Sequence, residues 1–343
     1  MKKKRIVYFE LLTIVATFCV VWLHCNSIVH QFSDTTAWKQ SLVVEVIAYW
    51  AVPVFFMMSG ATLMNYRDKY DTKSFFIKRI QKTVIPFIVW SVLILIAYTY
   101  SGRFTFETFS FRAVIDALLF SKMMSIYWFF LPLFSVYLCI PVLSLLAKNR
   151  KILWYIFGMS AVLNSLLPGL FELMGETWNS GLMFPMGVGN VIMAILGYLL
   201  ATTELSRKQR TLIYIVGICA AAFRYIHTYV FSIKEGQLNK TTWGYTSVAT
   251  ICLATAVFVF FKYTNWEFIT RHEKVRKAVA YLATCGFGVY LVHVVVIHWL
   301  RDNTAVDVSG IMWRTVGAVG IFAVSVAIVS ILRKIPIIKH VVP

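Results

Sequence analysis

Long apolar stretches alternate with short polar and basic clusters along the whole chain. Most of these stretches approach the roughly 20 residues that a helix needs to cross a bilayer core. Strand-like alternation is absent, and in lipid only helices or closed barrels satisfy the backbone. The pattern predicts an all-α polytopic membrane protein, one domain over residues 1–343, with about ten spanning helices at roughly 6–30, 42–64, 83–101, 126–147, 152–170, 185–202, 211–231, 243–263, 279–299 and 311–332.

Composition agrees with a membrane protein and argues against other classes. Of the 343 residues, 59% are hydrophobic and 14% are charged. The net charge of +18 does not indicate nucleic-acid binding, because the basic residues lie in short clusters between apolar stretches. The first 25 residues end without a small-residue cleavage site, so we expect a retained helix and no signal peptide. The six cysteines lack metal-ligand spacing, which predicts free thiols and no metal site.

Lysine and arginine are distributed unevenly between alternate connections. Of the 33 lysine and arginine residues, 24 lie before the first predicted helix or in the connections after the second, fourth, sixth, eighth and tenth. The positive-inside rule then places both termini in the cytoplasm. On the opposite side, the connection at 101–125 contains an amphipathic stretch, 111–120, that could lie along the interface. Another, 171–184, carries Trp178 and Asn179, which suit either sugar binding or an interfacial belt.

His24 lies near the end of the first predicted helix, about 28 Å along the helix from Arg5. An ionisable residue inside a bilayer is costly unless it is paired or hydrated, so it indicates a functional site. Imidazole can take a proton from a hydroxyl as that hydroxyl attacks an acyl group. A hydrogen bond between helices, or a helix end that reaches the interface, would explain the position equally well.

Glu45 is expected at a depth similar to that of His24, because the first two predicted helices run antiparallel. Its carboxylate could orient or charge-stabilise the imidazole, as the third member of a triad does. The alternative is a solvated carboxylate at a helix start, where the helix dipole favours negative charge.

Arg79 and Lys82 stand before the third predicted helix, three residues apart and on one helical face. Two cations on one face suit a phosphorylated ligand that arrives from the cytosol, and arginine can bind phosphate through two hydrogen bonds. A simple topology anchor would have the same sequence.

Four further residues could support a site in the outer half of the bundle. Trp128 opens the fourth predicted helix, and Arg224 lies towards the outer end of the seventh. Tyr290 and His293 lie three residues apart on the ninth. Polar residues of this kind also hold membrane helices together without any catalytic role.

Seven short motifs, in their order along the chain, resemble the bacterial acyltransferase-3 family of polytopic membrane O-acyltransferases. The first is the apolar stretch that ends at His24. The others are Val52–Gly60, Lys78–Arg79 with Ile85–Pro86, Tyr127–Phe130 with Pro141, Ile195–Tyr198, Gly288–His293 and Leu332–Pro336.

The resemblance implies a ten-helix bundle in the bacterial plasma membrane. Members take an acyl group, usually acetyl, from cytosolic acyl-CoA (acetyl-CoA) and pass it to a hydroxyl of an extracytoplasmic or lipid-linked cell-envelope glycan, without a permanently bound cofactor. It implies that His24 is the catalytic histidine and that Arg79 belongs to the donor-binding motif. Two positions depart from the family pattern. Thr13 stands where an arginine is common, and Lys82 replaces the second arginine of Arg-x-x-Arg.

Three hypotheses remain open at this stage. In an acyltransferase, His24 is a general base or first carries the acyl group. The acceptor would then enter near Trp178, Asn179 and Tyr290. A glycan or lipid transporter would line its path with the same polar residues, but no inverted repeat is visible. An inactive relative that acts in polysaccharide assembly is supported only by Thr13.

Overall fold

A computed structural model describes residues 6–342, and within that range it contains helices and no strands. The α-helices are α1 Val7–Cys25, α2 Thr36–Ala48, α3 Ala51–Leu63, α4 Thr72–Arg79, α5 Ile85–Tyr100, α6 Phe111–Leu119, α7 Phe130–Leu146, α8 Arg150–Ala161, α9 Leu167–Leu173, α10 Val191–Thr202, α11 Arg207–Glu235, α12 Val248–Tyr263, α13 Glu267–Arg271, α14 Glu273–Asn303 and α15 Ala318–Leu332. Three π-helical segments, Ile80–Val84, Val162–Leu166 and Trp313–Gly317, lie within longer helical rods.

Within residues 6–342, eight helical segments are long and apolar enough to cross a membrane. They are Val7–Cys25, Thr36–Asp68, Thr72–Tyr100, Ser125–Leu146, Arg150–Leu173, Arg207–Glu235, Glu273–Asn303 and Trp313–Leu332. The helices α10 and α12 are apolar but shorter, and they occupy the positions of the sixth and eighth predicted spans. The predicted all-α polytopic membrane fold is confirmed. The count of ten spans and the side of each terminus stay predictions.

The second span begins six residues before its predicted start and is broken near its middle. Thr35 caps it, because its hydroxyl oxygen accepts the Trp38 N–H at 3.3 Å. The α-helix is interrupted at Tyr49 and Trp50, just before α3. Pro53 accounts for the break, since it has no N–H to donate to the carbonyl of Tyr49 four residues earlier.

The third span also begins earlier than predicted. The side chain of Asp71 accepts the Ser74 N–H at 3.1 Å, so the helical rod starts at Thr72 and not at residue 83. The sequence predicted Arg79 and Lys82 in front of the third helix. In the structure they lie inside this helical rod. Side-chain caps set helix ends, whereas hydropathy detects only the apolar part of a helix.

The segment 236–247 forms a connection, although its last residues were predicted to be helical. The Ser247 hydroxyl accepts the Thr250 N–H at 3.3 Å and starts α12 at Val248. Trp243 and Tyr245, which were assigned to the eighth span, consequently lie in a loop whose aromatic side chains pack against the bundle.

The helices α3 and α10 approach each other backbone to backbone in the core. A Cβ built on Gly60 would lie 1.8 Å from the Ala194 carbonyl oxygen, and one on Gly197 would lie 2.0 Å from that of Met57. Small residues permit such contacts between membrane helices. The helix α1 lies at the centre of the bundle, against α2, α3, α12, α14 and α15.

Candidate active site

A cavity of about 600 Å³ runs along α1 between α2, α3, α7 and α14. Among its lining residues are five that the sequence singled out: His24, Glu45, Trp128, Tyr290 and His293. We name its two ends after residues of the first helix and the loop that follows it. The Thr13 end is formed by Thr13, Thr17, Tyr137, Ala283 and Thr284, and the His30 end by His30, Glu45, Tyr49, Lys240, Trp243 and Tyr245.

His24 and His293 meet across the interface between α1 and α14, although 269 residues separate them. The Nδ1 of His24 lies 2.7 Å from the Val20 carbonyl oxygen and 3.1 Å from Nε2 of His293. The Nδ1 of His293 lies 3.0 Å from the Val289 carbonyl oxygen, and its side chain has no exposed surface. Both imidazoles line the cavity, but the His24 side chain is partly exposed, whereas His293 has no exposed surface and contacts His24 from α14.

A close contact between the two helices explains why the histidines meet. A Cβ on Gly286 would lie 2.9 Å from the Thr17 hydroxyl oxygen, so only glycine lets α14 approach α1 so closely. His24 lies seven residues after Thr17, and His293 lies seven residues after Gly286. Seven residues are about two helical turns, so each histidine lies on the same helix face as the residue of the close contact. The contact between Thr17 and Gly286 therefore brings His24 and His293 together.

Glu45 lies on the cavity wall, but its carboxylate does not hold the imidazole. It is 4% exposed, and its Oε2 atom has no hydrogen-bond partner in the described structure. Within residues 6–342 no hydrogen bond joins it to His24, whose Nδ1 contacts are Val20 and His293. Its neighbours are the Asn26 side chain and the guanidinium of Arg224. The orienting contact predicted for Glu45 is therefore made by His293.

Aromatic rings form one wall of the His30 end. The ring of Trp128 stacks on Tyr245 at 5.1 Å, and Tyr245 stacks on Tyr49 at 4.6 Å. The guanidinium of Arg224 lies 3.5 Å from the Tyr49 ring centroid and donates to the Thr250 hydroxyl at 3.2 Å. Arg224 thus supports this wall and does not line the cavity.

The rim of the His30 end carries a lysine and a histidine. Lys240 and His30 both line the opening. Partial burial and the nearby Lys240 ammonium lower the pKa of His30, which leaves Lys240 as the cation of this rim near neutral pH.

The Thr13 end is lined by hydroxyl groups and small side chains. Among the site candidates, Arg79 lies beside a residue of this end, because its guanidinium is 5.6 Å from the ring centroid of Tyr137. The Nε of Arg79 is buried without a hydrogen-bond partner in the described structure. Lys82 is exposed and, like Arg79, does not line the cavity.

Three aromatic residues of the His30 end were not among the sequence candidates: Tyr49, Trp243 and Tyr245. Two signals in the sequence could have identified them. Trp243 and Tyr245 form an aromatic pair in a polar connection, and Tyr49 lies four residues before Pro53. Trp178 and Asn179, proposed from the sequence as the acceptor's entrance, do not line the cavity, and Trp178 packs on Phe171 at 5.0 Å instead.

Comparison with known proteins adds one finding. A family profile described as an acyltransferase domain (acyltransferase 3) matches residues 6–330, which is nearly the whole chain. Neither a curated protein nor a solved structure matches the chain.

Proposed function

Because the chain belongs to the acyltransferase 3 family and is therefore an acyltransferase of the non-aminoacyl class, we propose that it is an O-acyltransferase of the bacterial plasma membrane. It moves an acyl group, most simply acetyl, from cytosolic acyl-CoA to a hydroxyl of a cell-envelope glycan or lipid-linked sugar. The observation that carries this proposal is the continuous cavity, which has a histidine between a hydroxyl-lined end and an aromatic end.

The donor enters at the Thr13 end. The excess of basic residues in the connections on that side supports a cytosolic orientation of this end. Arg79, with its unpartnered buried Nε beside Tyr137, binds phosphate groups of the donor, and exposed Lys82 adds a second cation. From Thr13 to His24 the helix rises about 16 Å, a distance that a slender thioester arm crosses between small and hydroxyl side chains.

The chemistry takes place at His24. Its Nε2 accepts the proton of the acceptor hydroxyl as that oxygen attacks the thioester carbonyl carbon. The carbon–sulfur bond then breaks, an ester forms, and the thiolate takes the proton back from the imidazolium. Glu45 faces the same space with an unpartnered oxygen, which accepts a hydrogen bond from another hydroxyl of the acceptor.

The acceptor enters at the His30 end. The stacked rings of Trp128, Tyr245 and Tyr49 offer flat apolar surface with polar edges, which suits a sugar ring. A free carboxylate oxygen on Glu45 and the ammonium of Lys240 complete the opening. Tyr290 is fixed by a hydrogen bond from its hydroxyl to the Ile126 carbonyl, so it shapes the passage between the two ends.

The decisive experiment is a transfer assay with purified protein in liposomes. We expect radiolabel from acetyl-CoA to appear in a cell-envelope glycan fraction, and to be released by mild alkali as an ester would be. Liposomes without protein and reactions with unlabelled donor serve as controls. Movement of unmodified glycan across the membrane without label transfer would contradict the proposal and indicate a transporter.

Substitution of Arg79 by glutamine is expected to raise the KM for acetyl-CoA, by about tenfold, with a smaller effect on kcat. The reason is that one charge-assisted phosphate contact contributes about 1.5–3 kcal/mol. Initial rates at varied donor concentration measure the effect.

Lys73→Gln is the matched control, because Lys73 is an exposed cation on the same helix, α4, and does not line the cavity. An equal rise in KM for both variants would mean that general surface charge, and not a site at Arg79, attracts the donor.

A further inference from the structure

The hydrogen-bond pattern assigns the proton positions of both cavity histidines. Each Nδ1 lies against the carbonyl oxygen of the residue one turn earlier, at 2.7 Å for His24 with Val20 and 3.0 Å for His293 with Val289. A carbonyl oxygen only accepts hydrogen bonds, so each Nδ1 must carry a proton. If Nδ1 of His24 carried no proton, its lone pair would face a lone pair of the Val20 carbonyl oxygen at 2.7 Å, which is repulsive.

The contact between the two rings then has one consistent arrangement. Because Nδ1 of His24 carries a hydrogen, Nε2 of His293 at 3.1 Å must be the acceptor. The N–H of His24 is shared between that nitrogen and the Val20 carbonyl oxygen. All three contacts are satisfied with both rings neutral, and Nε2 of His24 keeps its lone pair.

We propose that His293 is a positioning residue for acyl transfer, which holds His24 in the tautomer whose Nε2 accepts the proton of the attacking hydroxyl. This inference rests on the proposed function. When that proton reaches His24, the ring becomes an imidazolium, and its Nδ1–H donates a stronger, charge-assisted hydrogen bond to His293. His293 takes no proton itself and stays neutral throughout the step.

The arrangement performs the task of the aspartate in a Ser-His-Asp triad with a different chemical group. A triad aspartate fixes the histidine tautomer and stabilises the imidazolium. A buried carboxylate in the membrane core needs a compensating cation, whereas a neutral imidazole adds no charge to bury. The free oxygen of Glu45 remains available to the acceptor, because His293 already occupies Nδ1 of His24.

Two variants of His293 separate positioning from simple packing. His293→Leu fills the space but offers no acceptor, and we expect it to lower kcat by about 100-fold while the KM for the donor stays within about twofold. His293→Gln offers an amide oxygen to the His24 N–H, and we expect kcat within about tenfold of wild type. Thermal stability of each purified variant is measured alongside, so that rates are compared at equal folded protein.

His298→Gln is the control, since His298 lies on the same helix but pairs with the Tyr98 hydroxyl at 2.6 Å and does not line the cavity. Wild-type kcat in His293→Leu would overturn the proposal. An equal loss in the leucine and glutamine variants would also overturn it, because the acceptor atom would then have no special effect.

A second measurement does not depend on activity. In protein with ¹⁵N-labelled histidine in bilayers, the seven histidines give resonances that report which ring nitrogen is protonated, and His24→Gln identifies the His24 signals by their loss. We expect Nδ1–H and bare Nε2 on His24 in the wild type. In His293→Leu only the Val20 carbonyl oxygen is left to accept the Nδ1–H, so we expect a partial loss of this tautomer. Bare Nδ1 in the wild type would overturn the inference. Absence of transfer with the expected tautomer would instead count against the proposed function alone.

Discussion

His24→Ala is expected to abolish measurable acyl transfer, with kcat lowered by about 10²- to 10⁴-fold. Removal of the imidazole takes away the base that borders the cavity and leaves the acceptor hydroxyl with its proton. His293 does not take its place, because its Nε2 lies against Nδ1 of His24 at 3.1 Å and is therefore one imidazole ring farther from the position that the acceptor hydroxyl takes beside His24. The liposome assay with labelled acetyl-CoA measures the loss directly.

The control for this variant is His227→Ala. His227 is also a buried histidine, but it stacks on Phe231 at 4.4 Å and does not line the cavity. Transfer should survive its removal. Equal transfer by wild type and His24→Ala, at matched amounts of folded protein, would remove the histidine from the mechanism even if the acyltransferase activity stands.

Gly197→Ala is expected to destabilise the protein, although it adds only one methyl group. The new Cβ would lie 2.0 Å from the carbonyl oxygen of Met57. The Cβ is bonded directly to the α10 backbone, and the oxygen belongs to the α3 backbone. Neither can turn away as a flexible side chain would, so α3 and α10 must separate and lose packing along their length. Overpacking of a core costs about 1–3 kcal/mol, and we expect the upper part of that range, seen as a lower Tm in detergent.

Gly320→Ala provides the matched comparison. Gly320 lies within α15, and a Cβ there would meet nothing within 4 Å. Alanine favours a helix over glycine by about 1 kcal/mol, so this variant should keep or slightly raise the Tm. An unchanged Tm for Gly197→Ala as well would mean that the helices are farther apart than the structure places them.

Position along a helix could be predicted from the sequence, whereas rotation about each helix axis could not. Every helical residue advances about 1.5 Å, so counting residues predicted similar levels for His24 and Glu45, and both line the same cavity. Each residue also turns the side chain by about 100°, and only packing decides which face meets which neighbour. His24 therefore faces His293 and Glu45 faces Arg224, although depth alone allowed the pairing of His24 with Glu45.

Trp243 and Tyr245 at the His30 end were not predicted, for a related reason. Hydropathy assigned Trp243 and Tyr245 to a spanning helix, because aromatic residues raise the local average in a loop as they do in a helix. The Ser247 cap that excludes them from α12 is a local hydrogen bond, which a window of many residues averages away.

The pairing of α1 with α14 has a consequence for how the protein is made. His24 is synthesised 269 residues before its partner His293. Until α14 has been inserted, α1 lacks the close contact at Gly286, and the Nδ1–H of His24 has only the Val20 carbonyl oxygen to donate to. A chain whose synthesis stops before α14 therefore contains His24 without His293. The pair of histidines forms only after most of the bundle has been synthesised.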